Sequence, residues 1–151
     1  MRLRPARADD DRLLDLLDVT VAAEALQASP DPADPLIDLQ VRARRTDRAA
    51  RWPTAPREVV EVDGEPVGAT LRGEEPGGVR LVDLHLLPDA RGRGTGTAVV
   101  LELVRRADAR GLALRARTRP DNVAMLAVLA RAGLAPTSAD PTGVELERPA
   151  R

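Results

Sequence analysis

Apolar and polar positions change period several times along the chain, and each change marks an element. The opening "RLRPA" reads as a short strand closed by Pro5. In "DDDRLLDLLDVTVAAEALQ" the residues Leu13, Leu14, Leu16, Leu17, Val21 and Leu26 recur at near-helical spacing, which predicts an amphipathic helix. Asp9, Asp10 and Asp11 stand at its start, where the helix dipole favours negative charge. The prolines of "SPDPADP" cannot continue a helix and end it. "LIDLQVRARRTDRAARW" then predicts a second, arginine-rich helix that stops before Pro53. Beyond it the period shortens. "REVVEVDGEPVGATLRGEEPGGVRLVDLHLLP" holds three strand-like runs separated by Asp63-Gly64 and by Pro76-Gly77-Gly78, the pattern of an antiparallel meander. A glycine loop follows, then a helix through "TAVVLELVRRADAR", a strand "LALRAR", a helix "NVAMLAVLARAG" and a final strand around "VELER".

The predicted order is therefore strand, two helices, three antiparallel strands, helix, strand, helix, strand. This is an α/β arrangement of the mixed-sheet (α+β) kind, covered by helices, and not a repeating βα array. No repeat, low-complexity linker or composition shift divides it, so residues 1–151 read as a single domain.

Composition narrows the chemistry. Trp52 is the sole aromatic, so the core has to be packed from Leu, Val and Ala with a little Ile and Met. All 23 basic residues are arginine, and they nearly cancel the acidic ones to a formal net charge of -1. The charges are interspersed, which argues against a nucleic-acid or membrane surface. The lack of cysteine excludes disulfides, thiolate nucleophiles and Cys-ligated metals, and one histidine cannot make a His-rich metal site, so no metal is expected. No signal peptide or apolar run of membrane-spanning length is seen, and a cytoplasmic location is the expectation.

The loop "PDARGRGTGTAVV" (Pro88 to Val100) carries the strongest chemical signal. A helix that opens directly after a glycine-rich turn presents unpaired backbone N–H groups at its positive end, and glycines let an anion approach that backbone. Arg91 and Arg93 add charge in a form suited to phosphate. The segment Arg91, Gly92, Arg93, Gly94, Thr95, Gly96, Thr97 thus has the makings of a pyrophosphate cradle, although a plain glycine-rich connection has the same letters. A Walker loop would need a lysine, and the chain has none. A Rossmann fingerprint would place its first glycine at the end of an early parallel strand, whereas Leu87 and Gly92 are separated by "PDAR" after strands that look antiparallel.

"RGRGTG", Arg91 to Gly96, matches the Gln/Arg-x-x-Gly-x-Gly/Ala signature of the GNAT acetyltransferase superfamily. The apolar lead-in "LHLLP", the opening "LRPARADDDRLLDLL" and "VVEVDGEPVGATL" around its Asp-Gly turn are similar to that family's corresponding elements. "DNVAMLAVLARAGL" resembles its second cofactor motif, with Asn122, the chain's only asparagine, at the opening. Asn122 is equally a candidate helix N-cap. The resemblance spans nearly the whole chain.

It implies acetyl-CoA bound where the sheet splays between the fourth and fifth strands. The backbone of Leu86 and Leu87 would meet the pantetheine arm and thioester, Arg91 to Thr97 the pyrophosphate, and Asn122 the other edge. The implied reaction is direct attack of a primary amine on the thioester, with no metal. The family's usual tyrosine acid falls at Leu129, and the chain has no tyrosine to replace it. That departure leaves open a catalytically weak or inactive acetyl-CoA-binding sensor or interaction module. Candidates for a base or water relay are His85, Asp83, Glu61 and Glu58, of which histidine has the ordinary pKa best suited to the task. Asp83 shares the strand face of His85 and could orient it or bind a cationic acceptor. Asp31, Asp34 and Asp38 could draw a cation, and Trp52 could wall the acceptor pocket; a solvated loop and a core tryptophan explain them as well. The acceptor amine is not identified by the sequence. Homodimers are frequent in such folds, and nothing in the sequence decides for or against one.

Overall fold

Asp63 and Gly64 both take positive φ, 52° and 79°. This is the backbone of a two-residue turn whose twist matches the strands it joins. It connects β2 (Arg57–Val62) to β3 (Glu65–Glu75), which turns back at Pro76-Gly77 into β4 (Gly78–Leu86). The computed structural model describes residues Met1–Arg151. Before the meander come β1 (Arg2–Pro5), α1 (Asp11–Ala25) and α2 (Pro35–Arg51); after it come α3 (Thr95–Ala109), β5 (Ala113–Thr118), α4 (Val123–Arg131), β6 (Ala135–Asp140) and β7 (Gly143–Arg148). One seven-stranded sheet results, in the order β1-β2-β3-β4-β5-β7-β6. All neighbours are antiparallel except β4 and β5.

The sequence pattern anticipates this order with one omission. The expected single closing strand is a hairpin, β6 paired with β7. Every residue of β6, "APTSAD", is exposed, because it is the sheet's outer edge and has no core to face. An edge strand without a buried side needs no apolar alternation, so it left no periodic signal.

α3 and α4 cover one face of the sheet. Val60, Leu81, Leu84, Val99, Leu114 and Leu146 belong to a core of 16 buried residues there, all aliphatic. α1 and α2 lie against the other face, with Ala22, Ala23, Ile37 and Val41 forming a smaller cluster between them. Trp52, at the end of α2, lies flat on Gly73 of β3, where any side chain would collide with its ring. The α2 helix starts where Asp34 accepts the Leu36 N–H at 2.9 Å, with Pro35 as its first residue.

Charged groups fasten this second layer. Asp18 of α1 is buried, and Arg45 and Arg48 of α2 and Arg57 of β2 converge on its carboxylate at 2.9, 3.3 and 3.1 Å. Burial pushes the Asp18 carboxyl up, but Arg57, Arg48 and Arg45 more than offset this and hold it below its ordinary value of 3.8. A second buried pair, Arg4 and Asp10 at 2.8 Å, ties β1 to the turn preceding α1.

A register shift in β4 opens the sheet. Leu81 pairs with Arg72 while Asp83 pairs with Leu71, so Val82 is an extra residue, a β-bulge. The parallel ladder between β4 and β5 runs from Gly78 opposite Ala113 to Leu81 opposite Ala116 and stops at that bulge. Beyond it the two strands have no common hydrogen bonds, and the sheet splays.

Replacing Asp18 by Asn keeps its volume but leaves Arg57 without a carboxylate and takes one of two from Arg45 and Arg48. We expect D18N to lose about 3 kcal/mol and roughly 6–12 °C in Tm, measured by thermal unfolding. Because the folded-state pKa is depressed, the contribution of Asp18 is present above the ordinary carboxylate value and is lost as pH falls through the lowered one. The wild-type–D18N difference in Tm should therefore shrink on acidification.

Candidate active site at the splayed strands

The glycine loop lies at the mouth of the splay. Gly92 and Gly94 take φ of 73° and 81°, and a Cβ at either would meet no atom within 4 Å, so both face open space. Gly94 is the N-cap of α3, with no side-chain cap and no acidic residue in the first helical turn. The backbone N–H groups of Gly92 through Thr97 have no protein acceptor. Buried helix ends are normally capped, so a run of uncapped amides beside a cleft is a site for an anion. The cleft, about 580 Å³, runs from this loop along α4, whose small residues Ala124, Ala127 and Val128 form its far wall.

The arginines of the motif divide. Arg91 donates from Nε to the Leu86 carbonyl at 3.0 Å and pairs with Glu24 of α1 at 2.7 Å, which binds the loop to the first helix. Arg93 is exposed and has no carboxylate partner, and Arg131 of α4 lines the same cleft equally free.

The alternation of the β3–β4 ladder decides which backbone groups face the gap. The Leu87 N–H is donated to the Val67 carbonyl at 2.8 Å, and the Leu87 carbonyl accepts from Ala90 at 2.9 Å, so both are engaged. Leu86, one residue back, turns its peptide to the opposite side, into the splay. Of this pair, Leu86 faces the cleft, its carbonyl already accepting from Arg91 Nε and its N–H without an acceptor, and Leu87 does not. Asn122 caps α4 by accepting the Met125 N–H at 3.1 Å, and it also lines the cleft. Capping uses its carbonyl oxygen and leaves the NH₂ group.

The bulge at Val82 sets the catalytic candidates. It shifts the phase of β4 so that Leu81 and Leu84 both enter the core, while Asp83 and His85 turn toward α1 and α2. His85 stands where the cofactor-side cleft meets a second cavity of about 280 Å³ on the α2 side. Its Nε2 is buried without a hydrogen bond, 3.6 Å from Asp83 Oδ1. Asp83 also faces Arg48 at 3.5 Å. Burial pushes the Asp83 carboxyl up, and His85, Arg48 and Arg44 together hold it below the usual carboxylate range, so it is anionic at neutral pH. The pair is an unsatisfied imidazole nitrogen beside a fixed negative charge.

The other two acidic candidates are not brought there. Glu61 pairs with Arg4 at 3.0 Å at the β1 end of the sheet. Glu58 is held by Arg72 at 3.0 Å and Arg106 at 2.8 Å beneath α3, on the face opposite His85. Leu129, at the tyrosine position, is fully buried in the core. Asp31 accepts the Ala33 N–H, Asp34 caps α2 and Asp38 pairs with Arg42, so each has a local structural partner. One residue of the α2-side cavity carries no signal in the sequence: Arg44, one of many arginines on α2 and indistinguishable from them by spacing alone.

No helix is long and apolar enough to cross a membrane, and no group of His, Cys, Asp or Glu is placed to hold a metal ion. Among solved structures, the chain is similar over 98% of its length to a ribosomal-protein-alanine N-acetyltransferase from Brucella melitensis (20% identity, 99% of that chain, TM-score 0.68). It is similar over 98% of its length to a PaiA N-acetyltransferase from Thermoplasma acidophilum in complex with coenzyme A (13% identity, 98% of that chain, TM-score 0.73). At these identities the likeness is one of fold. A curated relative, L-2,4-diaminobutyric acid acetyltransferase of Nocardia farcinica (strain IFM 10152), is 42% identical over 76 residues. That match takes in 48% of this chain and spans 39% of the relative's length. The model of the acetyltransferase (GNAT) family matches residues 21–134, from α1 through α4 and so including the glycine cradle, and the chain belongs to that family.

Proposed function

We propose that this protein is an N-acetyltransferase that moves the acetyl group of acetyl-CoA to a primary amine, on a small molecule or a peptide, by direct attack. The observation that carries the reading is the run of acceptorless amides from Gly92 to Thr97 at the mouth of the splay. These amides and the nearby Arg93 suit a pyrophosphate, the Leu86 peptide suits the amide-bearing arm that follows it, and the NH₂ of Asn122 suits its other edge. Neighbouring folds bound to coenzyme A, and the family itself, support the same ligand.

Acetyl-CoA supplies an activated acetyl group that a neutral amine takes up directly, releasing the thiol. The chain's own task is then to deliver the amine neutral and correctly placed. A lysine-type amine, with a pKa near ~10.4, is neutral in only about one molecule in 10³ at pH 7. His85, whose ring lies at the meeting point of the two cavities, is the group that accepts its proton, directly or through water. Asp83, 3.6 Å from the imidazole, attracts the incoming ammonium. Leu129 offers nothing to a departing thiolate. With a pKa near ~8.5 a thiolate leaves without help, at the loss of the roughly 10²- to 10⁴-fold that a positioned acid contributes.

A binding module without turnover is the second reading, favoured by that apolar residue where the family places its acid. Turnover separates the two readings, since both bind the cofactor. Small-molecule amines are the first acceptors to try, because the curated relative is named for one, L-2,4-diaminobutyric acid.

In a thermal-shift titration, acetyl-CoA and CoA should stabilise the protein and NADP should not. Gly94→Glu, which sets a carboxylate in the cradle, should abolish the shift; a shift with NADP, or one retained in G94E, overturns the assignment. His85→Ala should lower kcat for amine-dependent thiol release by about 10²-fold while leaving the acetyl-CoA-induced thermal shift intact. An unchanged kcat would remove His85 from catalysis.

A further inference from the structure

The α2-side cavity is also lined by a cation without a protein partner. Arg44, half-buried, lines both the cavity that holds His85 and Asp83 and a groove of about 450 Å³ that continues it along α2. The other arginines of these walls are engaged. Arg48 binds Asp18 and Asp83 at 3.3 and 3.5 Å. Arg117 binds Asp140 at 2.8 Å, and Arg119 binds Asp121 at 3.0 Å. Arg51 takes Asp47 at 3.1 Å, the one carboxylate within helical reach of Arg44 on its C-terminal side. Arg44 makes no ion pair and no hydrogen bond, in a molecule where most arginines make two.

A guanidinium presents a planar fork of N–H donors that fits a carboxylate with two parallel bonds. Half-exposed and without a protein partner, the Arg44 fork is available to a ligand that enters the cavity. The same cavity holds an anion: Asp83 is ionised, feels the charge of Arg44 and lies beside the imidazole proposed to take the amine's proton. A cavity lined by an ionised carboxylate at the reacting imidazole and by a guanidinium without a protein partner is complementary to a zwitterion. A plain diamine would satisfy Asp83 but would bring its second ammonium near Arg44, where like charges repel.

We propose that the acceptor is a free amino acid with a reactive amine, and that Arg44 binds its carboxylate. This rests on the acetyl-transfer reading and adds the substrate class to it. Arg44 acts as a specificity-determining residue: it sets which amines dwell in the cavity, and the chemistry stays with His85.

The test uses paired acceptors that differ only in the carboxylate, with thiol release followed at saturating acetyl-CoA. L-2,4-diaminobutyrate is paired with 1,3-diaminopropane, ornithine with putrescine and lysine with cadaverine. Wild-type protein should prefer at least one carboxylated partner by about 10- to 100-fold in kcat/KM, the range of a charge-assisted hydrogen-bond pair. Arg44→Ala should reduce that preference toward one, chiefly through a raised KM, and Arg44→Lys should restore part of it. Acetyl-CoA should still raise the Tm of both variants, which shows them folded. Equal turnover of both members of every pair by the wild type overturns the amino-acid assignment while the acetyltransferase reading stands. So does a preference that R44A leaves intact, since the carboxylate would then be read elsewhere. Absence of thiol release with every one of these amines overturns the amino-acid assignment; the acetyltransferase reading stands if acetyl-CoA raises the Tm of the same samples and falls if it does not.

Discussion

The ladder between β4 and β5 stops at Leu81 and Ala116, and the function of the molecule depends on that stop. Had the pairing continued, the gap-facing peptides of Leu84 and Leu86 would be saturated by β5, and no cleft would open between the loop and α4. The bulge at Val82 ends the pairing and also shifts the phase of the strand. Without the shift, Asp83 and His85 would share a face with Val79 and Leu81 and be driven into the aliphatic core, where an unpaired carboxylate is prohibitively costly. With it, Leu84 takes the core position and the two polar side chains meet the α2-side cavity. One extra residue thus opens the site and furnishes it.

Around that opening, charge is arranged by contrast. With arginine as the only basic residue beside one histidine, the chain answers most of its carboxylates with guanidinium forks. Asp18 gathers three, Glu58 two, and Arg80 joins Glu75 to Glu145 across the sheet. Folded proteins satisfy nearly all their buried polar groups, and this one does so on its structural side. Among the groups without a protein partner are the amides of Gly92 to Thr97, His85 Nε2 and the Arg44 guanidinium, and their residues border two cavities that share His85. Anion-binding amides in one cavity, the imidazole where the two meet and an unpaired guanidinium in the other match a pyrophosphate, a reacting amine and a carboxylate.

Much of this was legible in the chain itself, wherever a physical requirement acts on neighbours in sequence. The Asp63-Gly64 turn, the proline break after α1 and the aliphatic helix periods are local, and each produced the element it predicted. "RGRGTG" was legible for the same reason, because a helix N-terminus that must admit an anion needs its glycines consecutively placed. Asn122 was readable as a cap, and it caps. β6 was not legible, since an exposed edge strand is selected for backbone pairing alone and carries no apolar rhythm.

The allocation of charges lay beyond the sequence altogether. His85, Asp83, Glu61 and Glu58 were all candidates as letters, with histidine set apart only by its ordinary pKa. Folding paired Glu61 with Arg4 and Glu58 with Arg72 and Arg106, and left His85 beside Asp83 at the splay. Likewise, Arg91 looked like a phosphate ligand and is held by Glu24 from α1, while Arg44, one arginine of a helix rich in them, is the one left unmatched. The elements other than β6, their order and the glycine turn follow from the chain read alone, because those depend on backbone stereochemistry and the burial period within a few residues. Only the tertiary structure decided which charges are free to act, because an ion pair is made by groups up to dozens of residues apart, and whether a partner is present depends on where the chain has brought it.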